Sequence, residues 1–245
     1  MPAVPALTDV AVPLPDGGSL EAALAVPDGP GLHPGVVVLH EMFGLTDDIR
    51  AAARRFADHG YVAVAPNLFS HGNRALCLSR VLTDLYVRDA RGETLDDVDT
   101  VREYLADRTD VDAGRVAVAG FCMGGSFALV AAVKGRGKVR AAAVNYGGVP
   151  KAREELDGVC PVVSSYGALD RIFAPQGRRL EEHLSALGVA HDVKVYDGVG
   201  HSFMNRTAGA AAWVARVPTP MRVGYSQPEA DDAWARMLAF FDKHV

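Results

Sequence analysis

A thiol, an imidazole and a carboxylate occur in this chain in an order that suits nucleophilic catalysis. Cys122 sits in the run Gly120-Phe121-Cys122-Met123-Gly124-Gly125, between an apolar run at 115–119 (RVAVA) and an apolar segment at 126–133. The pattern predicts a strand, a tight turn and a helix, with the form of a G-x-S-x-G elbow in which Cys replaces Ser. Gly120 and Gly124 let the two backbones approach closely. Free N–H groups at the start of the helix face the thiol and any oxyanion formed beside it; the Met123 N–H is one expected donor. A glycine-rich turn around a structural cysteine has the same letters, so the reading depends on partners. Downstream, 164–170 (SSYGALD) ends a strand and enters a loop. Asp170 is thereby expected at a strand's C-terminal end, where open α/β sheets form their ligand crevices. His201 follows in 196–203 (YDGVGHSF), flanked by glycines. The order cysteine, aspartate, histidine is the one this architecture requires. His201 would take the thiol proton or stabilise the thiolate, then protonate the leaving group. Asp170 would fix the imidazole tautomer. Asp157 and Asp197 are rival acids; Asp197 is nearer His201 in sequence but falls in a predicted turn. Upstream, His40-Glu41-Met42-Phe43-Gly44 leaves another strand. A backbone N–H near Met42 is the expected second oxyanion donor.

The elements that must hold these residues read as follows. Residues 19–26 form the predicted opening strand. Short continuous apolar runs at 36–40, 61–65, 116–119, 141–145 and 162–166 mark strands buried on both faces. The run at 192–196 alternates more, as a strand nearer an edge does. Ile49, Ala52, Ala53, Phe56 and Ala57 recur at helical spacing, stopped by Gly60. Leu95, Val98, Val101 and Leu105 form a second stripe, and Leu180, Leu184 and Leu187 a third, stopped by Gly188. The last helix is predicted to open at Ser226, with Glu229 completing a capping box. Asp231 and Asp232 near its start, and Lys243 and His244 near its end, suit the helix dipole. Strands alternating with helices predict a mostly parallel central sheet with helices on both faces.

Composition narrows the function classes. The 245 residues, 49% of them hydrophobic, suffice for one large core, and a single domain over 1–245 is expected. The net charge is −5 and no Lys/Arg cluster carries interleaved aromatics, so nucleic acid is not an expected partner. No apolar run reaches the roughly 18 residues of a membrane span. Residues 1–17 lack the basic-then-apolar pattern of a secretory signal, so a cytoplasmic location is expected. Cys77, Cys122 and Cys160 form no CxxC pair, which fits neither a disulfide framework nor a zinc site.

Taken together, HEMFGL at 40–45, GFCMGG at 120–125, the Asp170 loop and GHSF at 200–203 resemble the dienelactone hydrolase family of the α/β-hydrolase superfamily. The resemblance runs from about residue 10 to 245. It implies an α/β-hydrolase fold and hydrolysis of a small lactone or ester through an acyl-thioester, with no metal or cofactor. In that family the glutamate after the histidine contacts the resting thiol, and Glu41 holds that position. A carboxylate there would keep the Cys122 thiol protonated and guarded from oxidation until substrate displaces it. The family's best-known substrates carry a carboxylate bound by arginines. Arg206 is one candidate, although Met204 and Asn205 intervene after GHSF; Arg80 and Arg88 are others. Tyr146 matches a family tyrosine near the site. The segment 207–223 is expected to loop over the pocket, with Trp213 or Met221 lining it.

Three other readings fit part of the pattern. One is a general carboxylesterase or thioesterase without preference for anionic lactones. Another is a ligand-binding α/β-hydrolase that no longer turns over, because fold does not fix function. The third is a thiol redox sensor built on Cys122, weakened by the lack of a resolving cysteine nearby in sequence. The expected partner is a small-molecule ester or lactone, and the expected state a monomer or small homo-oligomer.

Overall fold

In the computed structural model, which describes residues 6–88, 90, 92–135, 137–206 and 219–245, the strands are β1 (Leu7–Pro13), β2 (Ser19–Ala25), β3 (His33–Leu39), β4 (Val62–Pro66), β5 (Val111–Phe121), β6 (Ala141–Asn145), β7 (Val162–Gly167) and β8 (His191–Tyr196). They form one eight-stranded sheet in the order β1-β2-β4-β3-β5-β6-β7-β8. β1 pairs antiparallel with β2, and β2 antiparallel with β4; all other neighbours are parallel. This is the α/β-hydrolase fold. Segment 207–218, with Trp213, lies outside the described residues, so only 219–223 of the expected loop are on view.

The central strands are buried along their length because helices cover both faces. Val36, Val37, Val38 and Leu39 of β3 and the whole of β4 and β6 are buried, as continuous apolar runs require. β8, at the sheet edge, is half-buried, as its alternation predicts. β1 is absent from the sequence reading. Its residues are mostly exposed or half-buried, and its register is set by pairing with β2 rather than by an apolar run.

The helices are α1 (Asp47–Ala57), α2 (Arg74–Tyr86), α3 (Glu93–Ala106), α4 (Met123–Lys134), α5 (Ala174–Ala186) and α6 (Gln227–His244). α1 buries Ile49, Ala52, Ala53, Phe56 and Ala57, the predicted stripe, and Thr46 caps it by accepting from the Ile49 N–H. Phe56 packs on Trp234 and Phe241 of α6 at ring separations of 5.2 and 6.0 Å, which joins α1 to α6 on one face. α5 lies on the other face. Ser165 of β7 meets Arg236 of α6, whereas the next residue, Tyr166, meets Gly177 of α5. That alternation is the period of two of a strand. α2 was not predicted; it opens on Asn73, whose side chain accepts from Ala75 N–H and Leu76 N–H. α6 begins after Ser226 as predicted, but the capping box does not form. The Ser226 hydroxyl donates to the Glu229 carboxylate and caps no backbone N–H.

Arg236 ties α6 to the edge of the sheet. Its guanidinium donates to Asp192 from Nη2 at 2.6 Å and Nε at 3.1 Å, to the Tyr196 hydroxyl at 3.1 Å and to Ser165 Oγ at 3.3 Å. Its planar fork matches the carboxylate with two bonds, a geometry that lysine cannot copy. Arg236→Ala is expected to lower stability by about 2 kcal/mol. In a chain of this length that shifts the thermal midpoint down by roughly 4–8 °C. Arg236→Lys should recover less than half of the loss, as read by thermal denaturation.

Candidate active site

The parallel strands end together at one edge of the sheet, and Glu41, Cys122, Tyr146, Asp170 and His201 follow the strands that end there. β5 runs to Phe121, α4 starts at Met123, and Cys122 stands alone between them at φ +54°, ψ −117°. A non-glycine residue there is strained and persists only where its surroundings dictate it. Here the surroundings are main chain. A Cβ on Gly120 would lie 2.0 Å from Gly124 O, and one on Gly124 would lie 2.3 Å from Leu39 O. The Cys122 N–H donates to Asn145 O at 2.9 Å, and Cys122 O accepts from Gly125 N–H at 2.9 Å. The Cys122 side chain is half-buried.

Asp170 and His201 meet as predicted. His201 Nδ1 donates to Asp170 Oδ2 at 2.6 Å, and Asp170 Oδ1 accepts from the Ile172 and Phe173 N–H groups at 3.0 Å each. Asp170 is fully buried, and three donors replace the water it has lost. The imidazole is held by main chain: His201 N–H donates to Met221 O at 2.8 Å, and Gly224 N–H donates to His201 O at 3.1 Å. Phe173 and Tyr146 flank the ring, with centroids at 4.7 and 5.1 Å. His201 Nε2 is buried and has no hydrogen-bond partner among the described residues. With Nδ1 on the carboxylate, Nε2 is the ring atom left for proton transfer. Asp157 and Asp197, the rival acids, are exposed.

Glu41 is buried, and its Oε1 accepts from Ser202 Oγ at 2.5 Å. Burial pushes its carboxyl up to about 7; the Ser202 hydrogen bond opposes the rise, and the nearby Asp48 charge adds to it. The Cys122 thiol is also pushed far up. Burial is the larger cause and the Glu41 charge the next, while the Met123 N–H works in the opposite direction and Asp170 adds to the rise. Glu41 and Met123 N–H therefore both act on the sulfur. Met42 is exposed in the turn after β3, beside the stretch on which Gly124 packs.

Four residues of this site were not singled out in the sequence. His40 is fully buried; its Nδ1 lies 2.6 Å from Glu41 O, and its Nε2 accepts from Leu68 N–H at 3.0 Å, which anchors the Glu41 turn. Ser202, at φ +56°, holds Glu41. Asn205 and Asp48 complete a chain with Tyr146: the Tyr146 hydroxyl donates to Asn205 Oδ1, and Asn205 Nδ2 donates to Asp48 Oδ2 at 2.7 Å. The only sequence signal was the place of Ser202 and Asn205 just after His201.

The arginines considered for a substrate carboxylate are all engaged with protein groups, and the backbone and charge of Arg206 also act on Asp48. Arg206 is exposed, stacked 4.5 Å over the Tyr225 ring with Nη2 on its hydroxyl at 3.2 Å. Arg80 pairs with Asp97 at 2.6 Å, and Arg88 with Asp84 at 3.0 Å. No metal-binding group of His, Cys, Asp and Glu occurs among the described residues. Among the described residues, no helix is long and apolar enough to cross a membrane.

The dienelactone hydrolase family model matches residues 20–245. A Yersinia pestis protein provisionally named a carboxymethylenebutenolidase is 29% identical over 243 residues, 93% of this chain and 85% of that one. The carboxymethylenebutenolidase of Rhodococcus opacus is 29% identical over 227 residues, 86% of this chain and 81% of that one. Among solved structures, a Klebsiella pneumoniae protein provisionally named a dienelactone hydrolase superposes with a TM-score of 0.78 at 27% identity, covering 99% of this chain and 100% of that one. A family match over nearly the whole chain, with a matching sheet and matching relatives, settles the membership: this protein belongs to the dienelactone hydrolase family and is a hydrolase with the α/β-hydrolase fold.

Proposed function

We propose that this protein hydrolyses a small carboxylic ester or lactone through an acyl-thioester on Cys122. The observation that carries the reading is the buried His201–Asp170 hydrogen bond, with Nε2 unpartnered, at the same sheet edge as a cysteine held at positive φ. The names of the relatives, carboxymethylenebutenolidase and dienelactone hydrolase, support a lactone among the substrates.

The reaction follows from these positions. Substrate displaces the Glu41 carboxylate from the thiol, and the thiol proton passes to His201 Nε2, directly or by way of Glu41. A group titrating near 7 is suited to hold a proton transiently at neutral pH. Cys122 Sγ attacks the carbonyl carbon, and the N–H groups of Met123 and Met42 receive the oxyanion. The carbon–oxygen bond breaks, His201 gives a proton to the leaving oxygen, and the thioester remains. Water then attacks the thioester, with His201 Nε2 as its base. The carbon–sulfur bond breaks, and carboxylate and thiol are released. Asp170 keeps Nδ1 protonated throughout.

Cys122→Ala is expected to abolish ester hydrolysis while leaving the circular dichroism spectrum unchanged. Mass spectrometry after iodoacetamide should place the wild-type adduct on Cys122. Labelling confined to Cys77 or Cys160, with activity intact in Cys122→Ala, would sink the proposal. Asp170→Asn should cut kcat by up to roughly 10⁴-fold, with Asp197→Asn near wild type. A crippled Asp197→Asn beside a normal Asp170→Asn would reverse the assignment.

Glu41→Gln has two expected readouts. The thiol should ionise at lower pH without the adjacent charge, so the alkylation profile moves towards acid while kcat falls. Stability should also change with pH. Glu41 titrates near 7 in the fold against 4.5 when unperturbed. The folded chain thus holds a proton that the unfolded chain releases. The group's contribution is full below pH 4.5 and is lost as pH rises through 7. The loss is on the order of 3 kcal/mol. Relative to wild type, Glu41→Gln should gain several degrees in thermal midpoint between pH 5 and pH 8. Unchanged alkylation profiles and a midpoint difference independent of pH would make Glu41 a packing residue.

A further inference from the structure

His40 stands just before Glu41, and its ring is fully buried. Both ring nitrogens meet main chain. Nε2 accepts from the Leu68 N–H at 3.0 Å, so that nitrogen carries no proton. The ring proton therefore sits on Nδ1, which donates to Glu41 O at 2.6 Å. The ring rests on the turn after β4, with its centroid 4.8 Å from that of Phe69. The Gly44 N–H also donates to Glu41 O, at 3.2 Å. One carbonyl thus has two donors, and the nearer belongs to a side chain anchored in a different segment.

Glu41 O belongs to the same peptide unit as the Met42 N–H. That unit is planar and trans, so its C=O and N–H point in opposite directions. A bond that fixes the direction of Glu41 O fixes the direction of the Met42 N–H. It also polarises the unit, which makes the N–H a stronger donor. Among the described residues, the Met42 N–H donates to no main-chain carbonyl. Its side chain is 44% exposed and gives the peptide little anchorage. The segment lies against the nucleophile turn: Leu39 pairs with Gly120, and a Cβ on Gly124 would meet Leu39 O at 2.3 Å and His40 O at 2.8 Å. The Met123 N–H opens α4 and is held by the helix, whereas the Met42 N–H lies in a loop whose peptide is held by His40.

Building on the proposed ester hydrolysis, we propose that His40 is a positioning residue that aims the Met42 N–H at the oxyanion. It acts through the Glu41–Met42 peptide and not through acid–base chemistry of its own. With Nε2 closed by an N–H donor, the ring cannot take a second proton without losing the Leu68 bond. The aimed N–H gains strength only when the carbonyl oxygen carries charge, so the contribution falls on kcat rather than on KM.

The test uses the purified full-length chain and the variants His40→Gln and His40→Asn. Gln puts an amide oxygen near the place of Nε2, which keeps the Leu68 N–H satisfied and loses the bond to Glu41 O. Asn puts its amide nitrogen near the place of Nδ1, which keeps the bond to Glu41 O and loses the Leu68 contact. With 4-nitrophenyl acetate, His40→Gln should lower kcat about 30-fold and leave KM within about threefold of wild type. His40→Asn should recover most of that loss. Alkylation of Cys122 by iodoacetamide displaces iodide and builds no oxyanion, so its pH profile should match wild type in both variants. The last readout is protection of Cys122 from iodoacetamide by 1,1,1-trifluorohexan-2-one. In that adduct Sγ bonds to the carbonyl carbon, the thiol proton goes to His201 and the carbonyl oxygen becomes the oxyanion. The concentration that halves labelling should rise about 30-fold in His40→Gln and far less in His40→Asn. Unchanged kcat and protection in His40→Gln would overturn the proposal. So would equal losses in the two variants, or an alkylation profile that shifts together with kcat, because His40 would then act through the Glu41 carboxylate or the general fold of the turn. If circular dichroism shows His40→Gln unfolded, His40→Ala takes its place: it lacks both bonds, and its contrast with His40→Asn isolates the bond to Glu41 O. A wild type inert towards 4-nitrophenyl acetate would overturn ester hydrolysis instead, and the protection assay would still decide the role of His40.

Discussion

Cys122 is held at φ +54° by main chain packed against main chain, and the positions of its neighbours follow from that contact. Such a conformation costs about 1–3 kcal/mol, which must come from surroundings unable to relax. Side chains repack, but carbonyl groups of a parallel sheet do not. Gly120 touches Gly124, Gly124 touches Leu39 and His40, and Gly125 touches Asn145 and Gly147. These approaches lock β3, β5, β6 and α4 in one register. Once β3 and β6 are fixed against β5, the exits to Glu41 and Tyr146 are fixed as well. Tyr146 and Ser202 also adopt positive φ, so backbone strain gathers at the edge where the proposed chemistry occurs.

Three carboxylates near that edge differ in role because they differ in hydrogen bonding. Asp170 has lost all contact with water, and three donors satisfy its carboxylate. Glu41 has one donor, and burial wins, so it exchanges a proton near neutrality. Asp48, at the start of α1, is pushed up less: it is only half-buried, Asn205 donates to it, and the Arg206 backbone and charge favour its ionised form. Type and spacing alone would not separate these three groups. The number of N–H and O–H donors around each does so.

The sequence made the fold legible where burial imposes a pattern. Unbroken apolar runs marked β3 to β7, and the stripe from Ile49 to Ala57 marked α1, because those elements bury whole faces. β1 and α2 escaped for the opposite reason: β1 is held mainly by ladder bonds to β2, and α2 buries Cys77 and Val81 while Leu76 stands in solvent. The Cys122, Asp170 and His201 constellation was legible because each residue sits on a turn whose glycines and flanking strand are local in sequence. His40, Asp48 and Asn205 were not, since their roles arise from contacts between distant segments. Asn205 Nδ2 reaches Asp48 across 157 positions, and Leu68 N–H reaches His40 Nε2 across 28.

That long-range chain also determines what Tyr146 can do. Asp48 is an acceptor only, so the Asn205 group facing it must be the amide nitrogen. The amide oxygen then faces Tyr146, and an oxygen can only accept. The Tyr146 hydroxyl must therefore spend its one proton on Asn205. Each group is orientated by the next, and the order starts at the carboxylate. Tyr146 thus presents to the site its ring, tilted against His201, and an oxygen lone pair, with no proton to offer. An oxyanion beside Cys122 would gain nothing from it. In the proposed reaction, stabilisation of developing negative charge falls to main-chain N–H groups, of which the Met123 N–H already acts on the sulfur. The Met123 N–H is fixed by the same glycine contacts that hold Cys122 in its turn, so the proposed nucleophile and its proposed oxyanion donor share one origin.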